Sequence, residues 1–166
     1  MSKFIREIMN LSIRKINEGD LDSLFALLSD PNVMRYLEQP YTKEKTAQFM
    51  QRAGMSEPPL IYVVENDKRF IGYVIYHDYD ESAVEIGWVL YPECWGRGYA
   101  SHLTKELIKR AFLSQKDVVI ECSPQQEATK HIAEKYGFDY LGNIDGLDVF
   151  SLKNKNIIST RFSMAR

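Results

Sequence analysis

The chain has 166 residues, which is enough for one compact domain with a hydrophobic core and short for two. Hydrophobic residues make up 45% and charged residues 27%, and the net charge of −2 does not suggest the basic face that nucleic-acid binding requires. No apolar run reaches membrane-spanning length, the first seven residues are too charged for a secretory signal, and Cys94 and Cys122 lack metal-site spacing. We therefore expect a cytoplasmic protein with reduced thiols, no metal, and no nucleic-acid or membrane partner.

The first half of the chain alternates between strand-like and helix-like segments. Period-two alternation predicts strands, and apolar residues on one side, following the capping residues Asp20 and Thr42, predict helices. Proline residues are expected to end two of the helices. The predicted segments are a strand at 11–15, helices at 20–29, 33–37 and 42–55, and three strands of an antiparallel meander at 60–65, 69–79 and 82–90.

The second half continues the α/β alternation. A helix is predicted at about 99–114, a short and almost wholly apolar central strand at 118–120, and a helix at 127–136 that ends at Gly137 in a left-handed cap position. Two last strands, at 138–142 and 147–152, are joined by residues 143–146. Residues 1–153 are thus expected to form a single mixed α/β domain, and residues 154–166 a C-terminal tail.

The most informative stretch is residues 91–101, where a strand leads through a loop with Gly96 and Gly98 into a helix. The first turn of a helix carries backbone N–H groups without intrahelical partners, and its dipole favours negative charge. Glycines let a phosphate approach the backbone closely. The pattern predicts that residues 96–101 bind a phosphorylated cofactor.

Three other kinds of loop are alternatives to this interpretation. The Walker A pattern is absent. A Rossmann loop is suggested by Gly96 and Gly98 and by Glu121 at the distance of a ribose-binding acid, but Ser101 replaces the third glycine and the preceding strands form a meander. The remaining alternative is a plain tight turn with Trp95 packed on the core.

Four fragments give the chain a resemblance to a known family: LFALLSDPNVMRYL at 24–37, EIGWVL at 85–90, WGRGYA at 95–100 and EKYGF at 134–138. In this order and spacing they resemble the GNAT superfamily of acetyl-CoA-dependent N-acetyltransferases, in particular its ribosomal-protein N-terminal acetyltransferase branch. The resemblance implies a mixed, mostly antiparallel sheet of about seven strands, flanked by about four helices. It also implies that the sheet is splayed between the strand ending at Leu90 and the strand at 118–122.

The resemblance further implies acetyl-CoA as co-substrate. The family's loop maps onto Trp95, Gly98 and Ala100, with Trp95 in place of the usual Gln or Arg. Arg97 either supports the pyrophosphate electrostatically or faces water. Gln126 stands where the branch has an Asn that touches the pantetheine. The implied cofactor-binding residues are Trp88, Val89, Leu90, Gly96, Arg97, Gly98, Tyr99, Ala100, Ser101 and Gln126.

For catalysis, Glu85 is the candidate base, since it alternates with two apolar neighbours and Gly87 is expected to leave open space over its face. The alternative is a solvated or salt-bridged strand carboxylate. Thr129 stands where the branch has a Ser near the cofactor sulfur, and its hydroxyl either serves there or bonds back to the preceding turn.

Other polar residues near the implied site are weaker candidates. Ala133 replaces the tyrosine that many members use as an acid, and Tyr136 is expected to be a packing aromatic. Ser123 and Glu121 flank the expected acetyl site and could assist, whereas Cys94 is expected to be a bystander thiol.

The sequence therefore predicts an N-acetyltransferase in which a primary amine attacks acetyl-CoA directly in a ternary complex. The acceptor is expected to be a protein N-terminus or a small-molecule amine, in a channel built by the helices of residues 20–55, and the protein is compatible with a homodimer. The alternative from another class is a non-catalytic acyl-CoA-binding or regulatory module on the same fold.

Overall fold

The computed structural model of the protein describes residues 10–155, so the charged N-terminal run and most of the predicted tail lie outside the described residues. Three short turns lie outside the regular helices and strands: 3-10 turns at Glu18–Asp20 and Pro92–Cys94, and a π turn at Met50–Gly54. The helices are α1 (Leu21–Leu28), α2 (Pro31–Met34), α3 (Lys43–Phe49), α4 (Tyr99–Leu113) and α5 (Glu127–Lys135). The strands are β1 (Leu11–Arg14), β2 (Ile61–Asn66), β3 (Arg69–Asp78), β4 (Ala83–Leu90), β5 (Asp117–Cys122), β6 (Asp139–Ile144) and β7 (Leu147–Leu152).

The chain forms two compact units, each assembled from separate stretches of sequence. Of the described residues, the first unit comprises 10–77 and 87–103, and the second comprises 78–86 and 104–155. Within residues 10–155, no helix is both long and apolar enough to cross a bilayer.

The first unit contains the predicted meander. Strand β1 pairs antiparallel with β2, and β2 pairs antiparallel with β3, with a register shift between Val64 and Glu65. The Tyr91 amide donates to the Ile71 carbonyl at 2.9 Å, while Gly72 lies against Val89 and Leu90. Residue numbers therefore increase along β3 while those of the contacting residues decrease along β4, so these two strands are also antiparallel.

The second unit holds the one parallel pair among the described strands. Ala83–Glu85 of β4 lie beside 117–119 of β5, and β7 pairs antiparallel with both β5 and β6. The strand order is β1-β2-β3-β4-β5-β7-β6. The predicted class, a mixed and mostly antiparallel seven-stranded sheet with helices, is therefore confirmed. Val118–Ile120 of β5 are buried, as an apolar central strand requires.

The hydrophobic core of the first unit lies between α1–α3 and the meander. Leu24, Leu27 and Leu28 are fully buried on one side of α1 and belong to the same cluster as Val63 and Tyr73 of the sheet. Each such leucine contributes roughly 1.5–3 kcal/mol through burial. This packing fixes the strands that lead into the glycine loop.

Asp20 stands at the N-cap position of α1, as predicted, but its side chain does not cap the helix because its carboxylate has other partners. It accepts hydrogen bonds from the Arg14 guanidinium at 2.7 and 2.8 Å and from the Asn17 amide at 2.8 Å. Asn17 caps the preceding 3-10 turn instead, and Asp20 makes no side-chain hydrogen bond to α1.

Other predicted boundaries shift for local reasons. Asp30 and Pro31 end α1 as expected, but they also start α2: the Asp30 carboxylate accepts from the Asn32 amide at 2.8 Å, and proline is tolerated in a first helical turn. The last hairpin turn is shorter than predicted. It consists of Asp145 and Gly146, both with positive φ, so β6 extends to Ile144.

Candidate active site

The glycine loop lies in the first unit, at the point where β4 ends and α4 begins. Gly96 and Gly98 have φ values of +70° and +81°, in the left-handed region that favours glycine. The His102 amide donates to the Gly98 carbonyl at 3.0 Å, as expected for a helix that begins at Tyr99. A Cβ atom on Gly96 would meet no heavy atom within 4 Å, so a ligand can approach the backbone there.

Trp95 does not pack on the core, which contradicts the simple tight-turn interpretation of this loop. It is 51% exposed, and its indole N–H donates to the Leu90 carbonyl at 3.0 Å. This bond ties the loop to the last residue of β4. The tryptophan thus orients the loop rather than filling the interior.

The beginning of α4 is anchored by its first residue. Tyr99 is buried, and its hydroxyl accepts a hydrogen bond from the Asn66 side-chain amide at 3.2 Å. Leu103, one turn later, is also buried. Arg97 is exposed between the two loop glycines. Buried side chains therefore hold the first turn of α4 in place, while the glycine loop that precedes it remains accessible.

The backbone of β4 refines the predicted pantetheine contact. The Val89 carbonyl lies against Gly72 of β3, and the Tyr91 amide also bonds to β3. Because successive residues of a strand direct their hydrogen-bonding groups to opposite edges, Trp88 and Leu90 direct theirs away from β3. The Leu90 carbonyl already accepts from Trp95, so the Leu90 amide and the Trp88 backbone are the groups suited to a strand-like ligand.

Glu85 lies on β4 in the second unit, in register with Val119 of β5. Its neighbours Val84 and Ile86 are buried while Glu85 is partly exposed, as the alternation predicted. In the first unit, however, the open space expected over Gly87 is absent. A Cβ there would lie 3.0 Å from the Ile75 side chain, which covers this position from β3.

Tyr79 is a candidate site residue that the sequence did not indicate. Its hydroxyl donates to a Glu121 carboxylate oxygen at 3.1 Å. That hydrogen bond, with burial and the charges of Glu121 and Glu85, raises the pKa of Tyr79. We call Tyr79, Glu85 and Glu121 the acidic group. The strand pattern ending at residue 79 could have indicated Tyr79, but not its pairing with β5.

The residues before α5 form a hydrogen-bonded turn. The Gln126 side-chain carbonyl accepts from the Ser123 amide at 2.8 Å, and the Ser123 hydroxyl bonds to the Gln125 side chain. Because the Gln126 side-chain oxygen is already bonded, a contact of this residue with pantetheine would be made by its side-chain nitrogen. Thr129 is partly exposed on α5, and across residues 10–155 its hydroxyl makes no hydrogen bond to the preceding turn. This removes the back-bonding interpretation.

Both cysteines are free and buried. Burial raises the pKa of Cys94, and it raises the pKa of Cys122 to about 11. Neither thiol is therefore ionised near neutral pH, which agrees with the expectation that Cys94 is a bystander. Within the described part of the chain, no group of His, Cys, Asp and Glu side chains could hold a metal ion.

Known proteins similar to this chain are N-acetyltransferases. Residues 10–139 match the family described as acetyltransferase (GNAT) domain. A Bacillus licheniformis protein described as uncharacterized N-acetyltransferase p20 is 31% identical over 132 residues, which covers 74% of each chain.

Two solved structures share the fold at low sequence identity. A spermidine N-acetyltransferase from Vibrio cholerae, solved with CoA and spermine, is 21% identical with a TM-score of 0.75, covering 90% of this chain and 99% of that one. The ribosomal alpha-N-protein acetyltransferase RimL, in complex with coenzyme A, is 17% identical with a TM-score of 0.74, covering 87% and 95%.

Proposed function

Because this chain belongs to the GNAT acetyltransferase family, we propose that it transfers the acetyl group of acetyl-CoA to a primary amine by direct attack in a ternary complex. The observation that carries the proposal is the loop between β4 and α4, with two glycines at positive φ directly before a helix. Such a loop suits a diphosphate, since amides and helix dipole both favour an anion.

Cofactor binding is assigned to the loop and to β4. The backbone of residues 96–101 binds the pyrophosphate, with Arg97 adding positive charge beside it. The Trp88 backbone and the Leu90 amide pair with the pantetheine arm, because both point away from β3. Gln126 contributes its side-chain nitrogen from the turn before α5. The pyrophosphate and pantetheine contacts of the loop and of β4 are made mainly by backbone groups, so they tolerate Trp95 in place of the usual Gln or Arg.

Glu85 is assigned the role of base. An amine acceptor arrives protonated at neutral pH and must lose a proton before it attacks the thioester. Glu85 is a carboxylate on a rigid strand between buried neighbours, which holds it in place. Tyr79 is not suited to this role, because its raised pKa keeps it protonated.

The thiolate that leaves the acetyl group needs a proton or a hydrogen-bond donor. Thr129 is assigned this role, since its hydroxyl is not used by its own helix. A donor that acts mainly as charge develops on sulfur accelerates the chemical step more than it strengthens binding.

The acceptor is proposed to be cationic. Two carboxylates, Glu85 and Glu121, lie close enough to Tyr79 for both charges to raise its pKa. An ammonium group is favoured near such carboxylates, whereas an anionic acceptor is repelled. A protein N-terminus and a polyamine both fulfil this requirement.

The proposal is tested by incubating the protein with acetyl-CoA and a panel of acceptors, followed by mass spectrometry of the acceptors. The panel includes spermidine, an aminoglycoside, a peptide with a free N-terminus and the same peptide with a blocked one. We expect an acetyl adduct on at least one amine and none on the blocked peptide. Binding of acetyl-CoA without an adduct on any amine would instead identify a non-catalytic module.

A further inference from the structure

One residue between β4 and the glycine loop, Tyr91, is hydrogen-bonded to three other segments of the first unit. Its backbone amide donates to the Ile71 carbonyl of β3 at 2.9 Å, and its carbonyl accepts from the Cys94 amide at 2.9 Å. Its side-chain hydroxyl donates to the Ser23 carbonyl of α1 at 2.6 Å. The proposed reaction assigns no role to this residue.

The bond made by the Tyr91 hydroxyl joins parts of the chain that are 68 residues apart. Its length lies within the ordinary range for a hydrogen bond between two oxygens. Burial raises the pKa of the Tyr91 hydroxyl, so this group stays protonated at neutral pH and remains a donor. The hydroxyl is therefore a fixed link between α1 and the segment that follows β4.

Both ends of this link are held by the core of the first unit. The three buried leucines of α1 belong to the core cluster between the helices and the meander, which fixes the helix that carries the Ser23 carbonyl. The Tyr91 ring packs against the same cluster. It also packs on the Phe70 ring, with ring centroids 5.8 Å apart. The ring is thus held by apolar contacts, and the hydroxyl adds a directional contact to them.

Tyr91 stands between the two stretches of backbone that are assigned to the cofactor. Leu90, whose amide is assigned to the pantetheine arm, precedes it, and the loop at 96–101 follows after a 3-10 turn. Local bonds hold this segment together: the Trp95 amide donates to the Pro92 carbonyl at 3.1 Å, and the Trp95 indole donates to the Leu90 carbonyl at 3.0 Å. The Tyr91 hydroxyl attaches the locally bonded segment to α1.

We propose that Tyr91 is a positioning residue for acetyl-CoA, which holds the glycine loop in its binding-competent position by anchoring the segment before it to α1. This role rests on the proposed function, since it concerns the same cofactor site. Without the hydroxyl, the free protein populates other loop positions, and the apparent affinity falls in proportion to the competent fraction. Once acetyl-CoA is bound, the loop is in place and the chemical step proceeds normally.

The test is Tyr91→Phe in the full chain, which removes the hydroxyl and keeps the ring. We expect acetyl-CoA to bind roughly three- to tenfold more weakly in calorimetric titration, the factor that corresponds to the loss of one hydrogen bond. With an amine that the protein acetylates, KM for acetyl-CoA should rise by the same factor while kcat stays unchanged. Such a split separates a positioning residue from one that acts in the chemical step.

Tyr41→Phe is the matched control. Tyr41 belongs to the same core cluster, and its hydroxyl donates to the Glu38 carboxylate, a partner outside the cofactor segment. Denaturant unfolding should show lower stability in both variants, but only Tyr91→Phe should lose affinity for acetyl-CoA. An affinity of Tyr91→Phe within about twofold of that of the unchanged protein, or an equal loss in Tyr41→Phe, would overturn the proposal. If the unchanged protein itself does not bind acetyl-CoA, the proposed function is wrong and the role of Tyr91 is wrong with it.

Discussion

At the scale of single residues, the hydroxyl of Tyr79 connects two members of the acidic group. Glu121 is engaged by that hydroxyl at 3.1 Å, and Tyr79 is held protonated by this bond. The charges of Glu85 and Glu121 both raise the pKa of Tyr79, so both carboxylates lie near its hydroxyl. The acidic group therefore supports the proposed preference for a cationic acceptor.

Glu85→Gln tests the base. The variant keeps shape and hydrogen bonding but cannot accept a proton, so turnover should fall by roughly 10² or more while acetyl-CoA affinity stays unchanged. The loss should be partly restored at high pH, where the amine is already neutral. Glu81→Gln, an exposed carboxamide substitution in the turn before β4, is the control. Wild-type turnover by Glu85→Gln at neutral pH would remove Glu85 from the mechanism.

Thr129 is tested by two substitutions. Thr129→Ser keeps the hydroxyl and should be nearly silent, whereas Thr129→Val keeps the shape and removes the donor. Losing one hydrogen bond to a developing charge is worth about 1.5–3 kcal/mol, or one to two orders of magnitude in maximal rate. Cofactor affinity should change less than the rate. A valine variant with normal maximal rate would show that another group protonates the sulfur.

At the scale of elements, the glycine loop is the part of the candidate site that local sequence indicated best. A strand, two glycines and an amphipathic helix are each encoded by neighbouring residues. Both glycines adopt a positive φ, a conformation that glycine permits. The open face at Gly87 was mispredicted because the covering side chain, Ile75, comes from another strand. Tyr79 was missed for the same reason, since its partner lies 42 residues away.

Gly98→Val tests the loop. A β-branched side chain disfavours the left-handed backbone found at this residue and would block approach of a pyrophosphate to the amides. Acetyl-CoA binding measured by calorimetry should be abolished, while the circular dichroism spectrum should remain that of a folded protein. Binding as tight as that of the unchanged protein would show that the loop does not hold the cofactor.

The ion pair between Arg14 and Asp20, just before α1, should make the stability of the fold depend on pH. Burial acts to raise the pKa of the Asp20 carboxyl, but hydrogen bonds from Arg14 and the Asn17 amide lower it below its usual value. A lowered folded-state pKa means that the ionised carboxylate stabilises the fold above about pH 4 and that this contribution is lost as pH falls through the folded-state pKa.

Asp20→Asn should therefore lower the free energy of unfolding by roughly 2–3 kcal/mol at neutral pH, and by clearly less in acid. The Asp20 side chain is only 8% exposed, which limits solvent screening of the pair. Denaturant unfolding at several pH values measures this effect. The control is Asp22→Asn, since Asp22 makes a largely exposed ion pair with Lys43 that should contribute little. An equal loss in both variants, or no pH dependence, would contradict the assignment.

At the scale of the whole molecule, the sequence predicted the fold class but not how its last strands pair. The α/β alternation follows from hydrophobic periodicity, which is local. The insertion of β7 between β5 and β6 depends on pairing between distant residues, such as Ile120 with Phe150, and no local pattern encodes it. The predicted single domain of residues 1–153, the splay of the sheet and the homodimer remain predictions.

Thiol release from acetyl-CoA, followed with and without a primary amine, decides whether the protein catalyses the proposed transfer. We expect release to depend on the amine, one thiol to appear for each acetylated amine, and Gly98→Val to abolish both. Slow release that is unaffected by any amine, or amine-dependent release that survives unchanged in Gly98→Val, would contradict this expectation.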